Sequence, residues 1–406
     1  MPSIDLEPLF QPLTIRGVTL NSRFVMPAMQ RGWCVGGAPL AKMAGYYARR
    51  AEGGTGLIIS ESCAIDHPAS VNQPGAAHIY GPAVEAWRGC VRAVHDAGGR
   101  MLLQLWHEGG IRKDASADGR PVHPSVSPSG LYQAGKPNGR AATAKDLEAI
   151  KAAYVRGALT AKAIGADGVE IHSAHGYLMD LFLWPETNRR TDGYGGPDIA
   201  ARARFPAEVV AEIRRQCGED FIIGYRLSQW KEVDFDARVA ETPEELRILV
   251  SSLRQAGVDI FHASTRRLDQ PEWPGSELGF AGWVRAFTDA AVIAVGGVGI
   301  EKDPHSDLLV DEKGATTEAA LAPLARRFAA GEFDLVAVGR CQIGDPEWVD
   351  KVRAGRFAEI RRFTRKEVFD EHEWDRDLVI AAHEVDIFRS AETAAVSSPG
   401  PAGSPG

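Results

Sequence analysis

Short apolar segments recur along this 406-residue chain, and most of them are followed by a turn and an amphipathic helical pattern. Continuous apolar runs of this kind are typical of strands that are buried on both faces. We assign eight candidate strands, to residues 24–27, 57–61, 101–105, 168–172, 221–227, 259–263, 291–296 and 334–339. Strands that alternate with helices form parallel sheets, and eight such units close into a barrel. The sequence therefore predicts an α/β fold with a single (β/α)8 TIM barrel.

Several segments lie outside this repeat. Residues 15–20 resemble an N-terminal hairpin that plugs the barrel bottom, and residues 301–318 are charged and predict an insertion after the seventh strand. The long β3–α3 loop, residues 107–143, is rich in Gly, Pro and Ser; a long loop with no structure of its own is usually functional, and we expect a lid. Small residues dominate the segment 391–406, which predicts a disordered tail. We therefore expect a barrel domain over residues 1–390.

Composition narrows the class of protein. Lys and Arg total 46 and Asp and Glu total 54, so the net charge of −8 argues against a nucleic-acid partner or an anionic membrane surface. No apolar run approaches the roughly 18 residues of a membrane span, and the N-terminus lacks the pattern of a signal peptide. We expect a cytoplasmic protein. The sequence carries no signal for the oligomeric state, which leaves a homo-oligomer open.

Polar residues gather where the predicted strands end. Barrel enzymes carry their active sites on the loops at the carboxyl ends of the strands. The residues at these ends include Gln104, His107, His172, His175, Tyr177, Arg226, Ser264, Arg266 and Arg340. Packing alone does not explain so many polar groups on one rim. The sequence therefore predicts an active site there, centred on His172, His175 and Tyr177 at the end of the fourth strand.

Glycines close the last two predicted strands. Gly296 and Gly297 follow the seventh strand, and Gly339 and Arg340 follow the eighth. TIM barrels commonly hold a phosphate at this position, with backbone N–H groups and a guanidinium as donors. The glycines could also serve only as tight-turn residues. The coincidence with the usual phosphate position favours a phosphate site.

The histidine pair has two interpretations. His172 and His175 could direct two imidazole donors at one substrate oxygen, with Tyr177 as a nearby phenol acid. They could also bind a metal, which would need a further ligand such as Glu170 or Asp180. The five cysteines are far apart and form no C-x-x-C pair, which argues against a disulfide framework, a zinc site or an iron–sulfur site. We expect no metal, although the residues leave this alternative open.

The segment 172–178 and several ordered motifs around it closely resemble the Old Yellow Enzyme family of FMN-dependent oxidoreductases. The resemblance continues through Asn188, Arg190 and the Tyr194-Gly195-Gly196 triplet, and it includes residues 9–12, 21–26 and 104–109. It covers residues 6–357 in the order of the barrel strands. This resemblance implies the (β/α)8 barrel already predicted and a non-covalently bound FMN at its mouth.

The resemblance also implies which residues hold the cofactor. They are Pro27, Ala28, Met29, Ser62, Gln104, Arg226, Gly296, Gly297, Gly339 and Arg340. Gln104 would bind the flavin pyrimidine edge, because an amide offers both a donor and an acceptor. Arg226 would stabilise the negative charge of the reduced flavin. Gly297, Gly339 and Arg340 would hold the phosphate.

The activity implied by the resemblance is reduction of an activated alkene in a ping-pong reaction. NADH or NADPH would reduce FMN and leave, and an electron-poor alkene bearing a carbonyl or nitro group would bind in its place. His172 and His175 would bind the substrate oxygen, and Tyr177 would deliver the proton. A cluster-free flavin-dependent amine demethylase or dehydrogenase on the same barrel is an alternative, as is a flavin-free barrel such as a phosphate-binding lyase.

Three positions depart from the family pattern. Gln30 occupies a position that tunes the flavin potential in many members, so its effect on this flavin is open. Trp184 stands where a smaller or acidic residue is more usual, and it could pack in the core or narrow the substrate pocket. Arg266, with Arg267 beside it, could meet an acidic substrate or the cofactor phosphates, or could form surface salt bridges. We include Gln30, Trp184 and Arg266 among the candidate substrate-binding residues.

Overall fold

Eight parallel strands form a closed barrel in the computed structural model, which describes residues 4–113, 123–300 and 316–363. The strands are β1 (Phe24–Met26), β2 (Leu57–Ala64), β3 (Arg100–Trp106), β4 (Gly168–His175), β5 (Ile222–Lys231), β6 (Ile260–Ser264), β7 (Ala291–Val295) and β8 (Leu335–Ala337). Each strand pairs with the next along the chain, and β8 pairs with β1 through Val336 and Phe24. The predicted barrel is confirmed.

Helices cover the outside of the barrel. They are α1 (Lys42–Glu52), α2 (Ala83–Asp96), α3 (Ala144–Ala163), α4 (Leu178–Leu183), α5 (Ile199–Cys217), α6 (Pro243–Ala256), α7 (Phe280–Ala286), α8 (Ala322–Ala329), α9 (Arg340–Gly344) and α10 (Trp348–Arg353). Thr143 begins α3 with a capping box, in which its hydroxyl accepts from the Asp146 N–H and the Asp146 carboxylate accepts from the Thr143 N–H. Within the described ranges, no helix is both long and apolar enough to span a membrane.

The predicted hairpin closes the bottom of the barrel. Its strands, Leu13–Ile15 and Val18–Leu20, are antiparallel, and Ile15 and Leu20 are buried against inward-facing residues of the barrel strands. Arg16 at the turn has a positive φ of 50°, and its Nε donates to Asp259 Oδ1 at 2.7 Å. This bond ties the hairpin to the entrance of β6. The hairpin therefore supplies the apolar floor that a barrel needs at its amino-terminal end.

The β3–α3 segment is more ordered than the expected structureless loop. A short 3-10 helix spans Gly109–Ile111, Leu131–Gln133 pairs antiparallel with Lys136–Pro137, and Val126–Ser127 pairs parallel with Arg140–Ala141. The expectation that this segment has no structure of its own is therefore wrong, because its backbone groups find partners within it. Residues 114–122 lie outside the described part of the chain, as do most of the predicted insertion (301–315), the predicted tail (391–406) and the predicted domain end at residue 390.

The remaining short elements lie outside the barrel strands and the helices. They are the 3-10 turns Glu7–Phe10, Ala319–Leu321 and Phe357–Glu359 and the strands Cys34–Val35, Ala38–Pro39 and Ala77–His78.

Strands β4 and β5 run beyond the ends predicted for them and stay paired past the rim of the barrel. Their register shifts between Ser173 and His175, so that His175 lies opposite Lys231. This irregularity places the end of β4 over the mouth of the barrel.

Candidate active site

Strand register brings three polar side chains side by side at the top of the barrel. His172 on β4 is paired with Arg226 on β5, which in turn is paired with His262 on β6. Register partners in parallel strands point to the same face of the sheet. His172 is 4% exposed and His262 is 0% exposed. The barrel thus presents a buried layer of two imidazoles flanking a guanidinium.

Below this layer, a chain of buried polar groups fixes Gln104. Ser62 Oγ donates to Gln104 Oε1 at 2.5 Å, and Gln104 Nε2 donates to Glu170 Oε1 at 2.7 Å. Glu170 Oε2 accepts from His262 Nδ1 at 2.8 Å. Burial raises the pKa of Glu170, but His262 and Arg226 more than offset it and hold the pKa below its ordinary value. An ionised Glu170 therefore sets the amide orientation, which leaves Gln104 one N–H and one oxygen lone pair for a ligand.

The turn after β4, residues 174–178, which we call the β4 turn, has a backbone that most residues avoid. His175 has φ 66° and Gly176 has φ 93°. Gly176 N–H donates to Asp180 Oδ2 at 2.7 Å, and Lys231 Nζ donates to Asp180 Oδ1 at 2.9 Å. Asp180 and Lys231 are both fully buried. Burial raises the pKa of Asp180 to about 6 and lowers the pKa of Lys231, so their mutual attraction must offset the loss of solvent.

The three residues at the centre of the predicted site come together at the end of β4 and on the β4 turn. The ring centroid of His172 is 5.2 Å from that of His175 and 4.8 Å from that of Tyr177. Burial, with a contribution from Arg226, holds the pKa of both histidines well below the ordinary value. Burial, with the nearby Glu232 and Glu108, raises the pKa of Tyr177 well above it. The histidines are therefore neutral donors, and the phenol keeps its proton at neutral pH.

His175 is held from β6. Its Nε2 lies 2.9 Å from Ser264 Oγ, which also accepts from Arg226 Nη2 at 3.2 Å. The indole ring of Trp230 covers His175, with ring centroids 4.4 Å apart. Arg226 Nη1 donates to the Ala28 carbonyl at 3.5 Å, which connects the layer to the loop after β1. Ser264 therefore links His175 and Arg226.

The predicted flavin residues of β1 and β8 also meet. A Cβ on Gly339 would lie 3.2 Å from Met29 Sδ and 3.6 Å from Pro27 Cγ, so the β8 end packs against the loop after β1. Gly296, at φ 145°, approaches the Thr265 backbone so closely that a Cβ would lie 2.8 Å from its carbonyl oxygen. A side chain therefore cannot be added at Gly296. Gly297 follows with φ 65°, and the phosphate role of these glycines and Arg340 stays a prediction.

Unpartnered polar atoms test whether the residues at this mouth suit FMN. Buried polar groups in folded proteins nearly always have a hydrogen-bond partner. Within the described ranges, both amide atoms of Gln30, Nδ1 of His172, Nε of Arg226 and Nε1 of Trp106 are buried without one. These donors and acceptors lie on or next to the strands predicted to hold the cofactor. The residues present therefore fit a large polar planar ligand such as FMN.

The other predicted substrate residues lie in different surroundings. Trp184 is 2% exposed and packs in the main hydrophobic core, with Lys231 Nζ 5.9 Å from its ring. This position favours the packing role for Trp184 over the role of a pocket wall. The Arg266 guanidinium lies 4.3 Å from the Phe235 ring. It borders a cavity of 310 Å³ that reaches Trp230 and Ser264 beside the site.

Some functional neighbours were not assigned a role from the sequence. His262 and Ser264 were visible as polar residues at the end of β6, but their partners depend on strand register. Glu232 had no sequence signal, because it lies beyond the predicted end of β5. Its carboxylate oxygens are each 3.4 Å from the Tyr177 hydroxyl. In the described part of the chain, no group of three or more His, Cys, Asp or Glu residues could hold a metal ion.

The barrel and the layer of donors at its mouth suit a flavin-dependent oxidoreductase. Residues 8–359 match the model of the NADH:flavin oxidoreductase / NADH oxidase family. The chain therefore belongs to this family, which includes the Old Yellow Enzymes, and is an NAD(P)H-dependent flavin oxidoreductase.

Relatives and solved structures agree with this assignment. The chain is 32% identical to an NADH oxidase of Thermoanaerobacter brockii over 87% of its own length, and it spans about half (52%) of that relative. It is 30% identical to 12-oxophytodienoate reductase 7 of rice (Oryza sativa subsp. japonica), covering 88% of this chain and 90% of the relative. A structure of morphinone reductase in complex with tetrahydroNAD superposes with a TM-score of 0.72 at 29% identity, covering 90% of this chain and 95% of that one.

Proposed function

We propose that this chain uses FMN and NADH or NADPH to reduce the C=C bond of activated alkenes, namely α,β-unsaturated carbonyl or nitro compounds, in a ping-pong reaction. The observation that carries the proposal is the convergence of two neutral imidazoles and one protonated phenol at the carboxyl end of β4, beside Arg226. Two relatives named above are reductases of oxygenated organic molecules, which supports this substrate class. The small-molecule substrate follows from the family resemblance. The expectations of no nucleic-acid or membrane partner and of a cytoplasmic location remain predictions from composition, and a homo-oligomer remains an untested prediction.

The cofactor would be held by the residues that line the mouth. Pro27, Ala28 and Met29 would support one side of the flavin, with Ser62 and Gln104 at its pyrimidine end. The free N–H and lone pair of Gln104 match the alternating acceptor and donor of that edge. Arg226 would place a fixed cation beside the ring, and Gly296, Gly297, Gly339 and Arg340 would hold the phosphate.

The protein side chains would then direct the reaction. When bound, FMN would supply the hydride-transfer chemistry between the nicotinamide and the substrate β-carbon. His172 and His175 donate hydrogen bonds to the substrate oxygen and stabilise the negative charge that develops there. Tyr177 donates its phenolic proton to the α-carbon. Gln30 and Arg266 would contact the parts of the substrate or nicotinamide that extend beyond the reacting atoms.

A tyrosine variant tests the proton donor. Tyr177→Phe keeps the ring packing against His172 and removes the hydroxyl. We expect it to slow alkene reduction by roughly 10²-fold or more, as loss of a positioned acid does, while NAD(P)H oxidation stays within twofold. The rate of alkene reduction is measured by stopped-flow mixing, as reoxidation of the reduced flavin by the alkene. An alkene rate equal to that of the parent would remove Tyr177 from this role.

A histidine variant tests oxygen binding, separately from turnover. His172→Ala should weaken binding of a simple phenol, followed through its charge-transfer absorbance with the oxidised flavin. We expect roughly tenfold weaker binding, since one hydrogen bond to a charged oxygen is lost. An unchanged band and affinity would contradict the proposed contact. Purified protein without bound flavin would contradict the whole proposal.

A further inference from the structure

We infer that Glu232 is a proton relay that supplies Tyr177 from solvent during alkene reduction. This inference rests on the proposed function and deepens it. The Tyr177 hydroxyl donates toward both carboxylate oxygens of Glu232, each at 3.4 Å, and the Glu232 side chain is exposed. Tyr177 is half-buried, with the Trp106 ring 5.3 Å away and His172 on another side. Glu232 therefore connects the phenol oxygen to water.

The other ionisable groups facing Tyr177 are poorly suited to supply this proton. His172 is neutral because burial holds its pKa well below the ordinary range, and Arg226 cannot give up a proton at physiological pH. Glu108 is only 2% exposed, and its two oxygens accept from Asn72 N–H at 2.9 Å and Gln73 Nε2 at 2.6 Å. Glu108 is thus engaged away from the phenol. Glu232 combines contact with Tyr177 and access to solvent.

The backbone holds Glu232 in place. Its N–H donates to the His175 carbonyl at 3.1 Å, which joins the end of β5 to the β4 turn. The preceding residue, Lys231, is anchored through its buried bond to Asp180. The carboxyl group is therefore positioned by the same framework that positions Tyr177. A freely moving surface glutamate would have neither restraint.

The proton balance of the relay is simple. As the α-carbon gains its C–H bond, the Tyr177 O–H bond breaks, and the phenol oxygen takes the proton of the Glu232 carboxylic acid. The Glu232 carboxylate then takes one proton from water, so one solvent proton is consumed for each alkene. Although the residue as a whole is exposed, protein atoms surround its carboxyl group, and this partial desolvation raises the pKa of Glu232 above its ordinary value, while the Tyr177 hydrogen bond and Arg226 act in the opposite direction. The raised pKa extends the acid form toward neutral pH. Above that pKa, the relay should be lost.

Glu232→Gln separates a relay from a purely electrostatic effect. Loss of the negative charge lowers the pKa of Tyr177, and this alone would make the phenol a stronger acid and the reaction equal or faster. A relay predicts the opposite. In single-turnover reoxidation by 2-cyclohexenone, we expect the parent rate to fall as pH rises from 5 to 9, and the variant to be pH-independent and roughly tenfold slower at the acidic end. The two rates should converge at high pH.

Solvent isotope effects give a second readout. In mixtures of H₂O and D₂O at the acidic end, the parent rate should depend on deuterium fraction along a curve, because two protons move together. Glu232→Gln should give a straight line. As a control, Glu241→Gln removes the same charge from another exposed position and should match the parent in rate and curvature. A variant as fast as the parent at every pH, or an unchanged curve, would overturn the relay.

The contact itself can be tested without turnover. Titration of flavin-free protein at 295 nm, with Tyr177→Phe subtracted, reports the pKa of Tyr177. Glu232→Gln should lower this pKa measurably, because the carboxylate raises it. An unmoved pKa would show that the two groups do not meet in solution and would also overturn the inference. If the alkene does not reoxidise the parent enzyme, the proposed substrate class fails, while this titration still decides the contact.

Discussion

The buried ion pair between Asp180 and Lys231 is the strongest test of how the β4 turn is held. Both side chains are fully buried, and Asp180 also accepts from the Gly176 N–H. Lys231 Nζ donates to the carbonyls of Ser228 at 3.2 Å and Gln229 at 2.7 Å as well. We propose three variants: Asp180→Asn, Lys231→Met and the double variant.

The magnitudes follow from the geometry. Two unit charges 2.9 Å apart attract by about 6 kcal/mol at an effective dielectric constant of about 20, and burial of the two ions offsets most of this. Removing one partner leaves the other charge buried and unpaired, so each single variant should lose about 3–5 kcal/mol of unfolding free energy. The double variant leaves no charge, and Asn keeps an acceptor for Gly176. Its unfolding free energy should fall by only about 1–3 kcal/mol, because the Ser228 and Gln229 carbonyls lose their donor.

Urea unfolding of flavin-free protein measures these three values. The double-mutant cycle should be strongly non-additive, with the double variant more stable than the sum of the two singles by at least about 2 kcal/mol. The double variant should also recover part of the phenol affinity that the singles lose, because the β4 turn regains its shape. Additive losses would refute the idea that these charges act as a pair. If all three variants were as stable as the parent, the β4 turn would be held by other contacts.

Other variants test single features of the site. His175→Asn should keep the fold, since Asn tolerates a positive φ, whereas His175→Val should lose about 1–3 kcal/mol in urea unfolding; equal losses would contradict strain at this residue. Trp184→Ala should lower the unfolding free energy by about 3–5 kcal/mol and leave the relative rates of small and bulky alkenes unchanged. A changed preference would show that Trp184 lines the substrate pocket. Burial raises the pKa of Glu61 from 4.5 to about 7, so the folded form binds the proton more tightly and stability is lost as pH rises through this window. The difference in unfolding free energy between Glu61→Gln and the parent should therefore shift by about 3 kcal/mol in favour of the variant as pH rises from 4.5 to 8. A difference that does not change with pH would refute this.

The barrel and the location of its site could be predicted because both follow from local patterns. Strands buried on both faces have a continuous apolar signature, and parallel strands bring their carboxyl ends to one rim. Polar residues near the carboxyl ends of the strands, such as Gln104, His172 and Arg226, were therefore expected to meet there. No long-range information was needed for this conclusion. The Ile15 and Leu20 plug followed in the same way, from a short hairpin ahead of the first strand.

The partners of these residues could not be predicted, since they depend on register and strand length. Ser264 reaches His175 because β4 shifts its register after Ser173 and lifts His175 toward β6. Glu232 enters the site because β5 continues to Lys231, four residues beyond its predicted end at residue 227. The extension stays buried, but its side chains are polar, as in Ser228, Gln229 and Lys231, so the apolar signature of a strand ends before the strand does. The apolar pattern alone therefore does not predict the residues at the edge of the site, such as Glu232.

The same partners explain why the histidine pair suits an oxygen anion better than a metal ion. Glu170 and Asp180 were the carboxylates that could have completed a metal site. Glu170 instead accepts from Gln104 and His262, and Asp180 from Gly176 and Lys231. A cation bound by His172 and His175 would also meet the positive charge of Arg226, which already helps to lower the pKa of both imidazoles. A substrate oxygen that gained negative charge would be attracted by that same guanidinium, so the electrostatics of the layer are consistent with the hydride transfer proposed above.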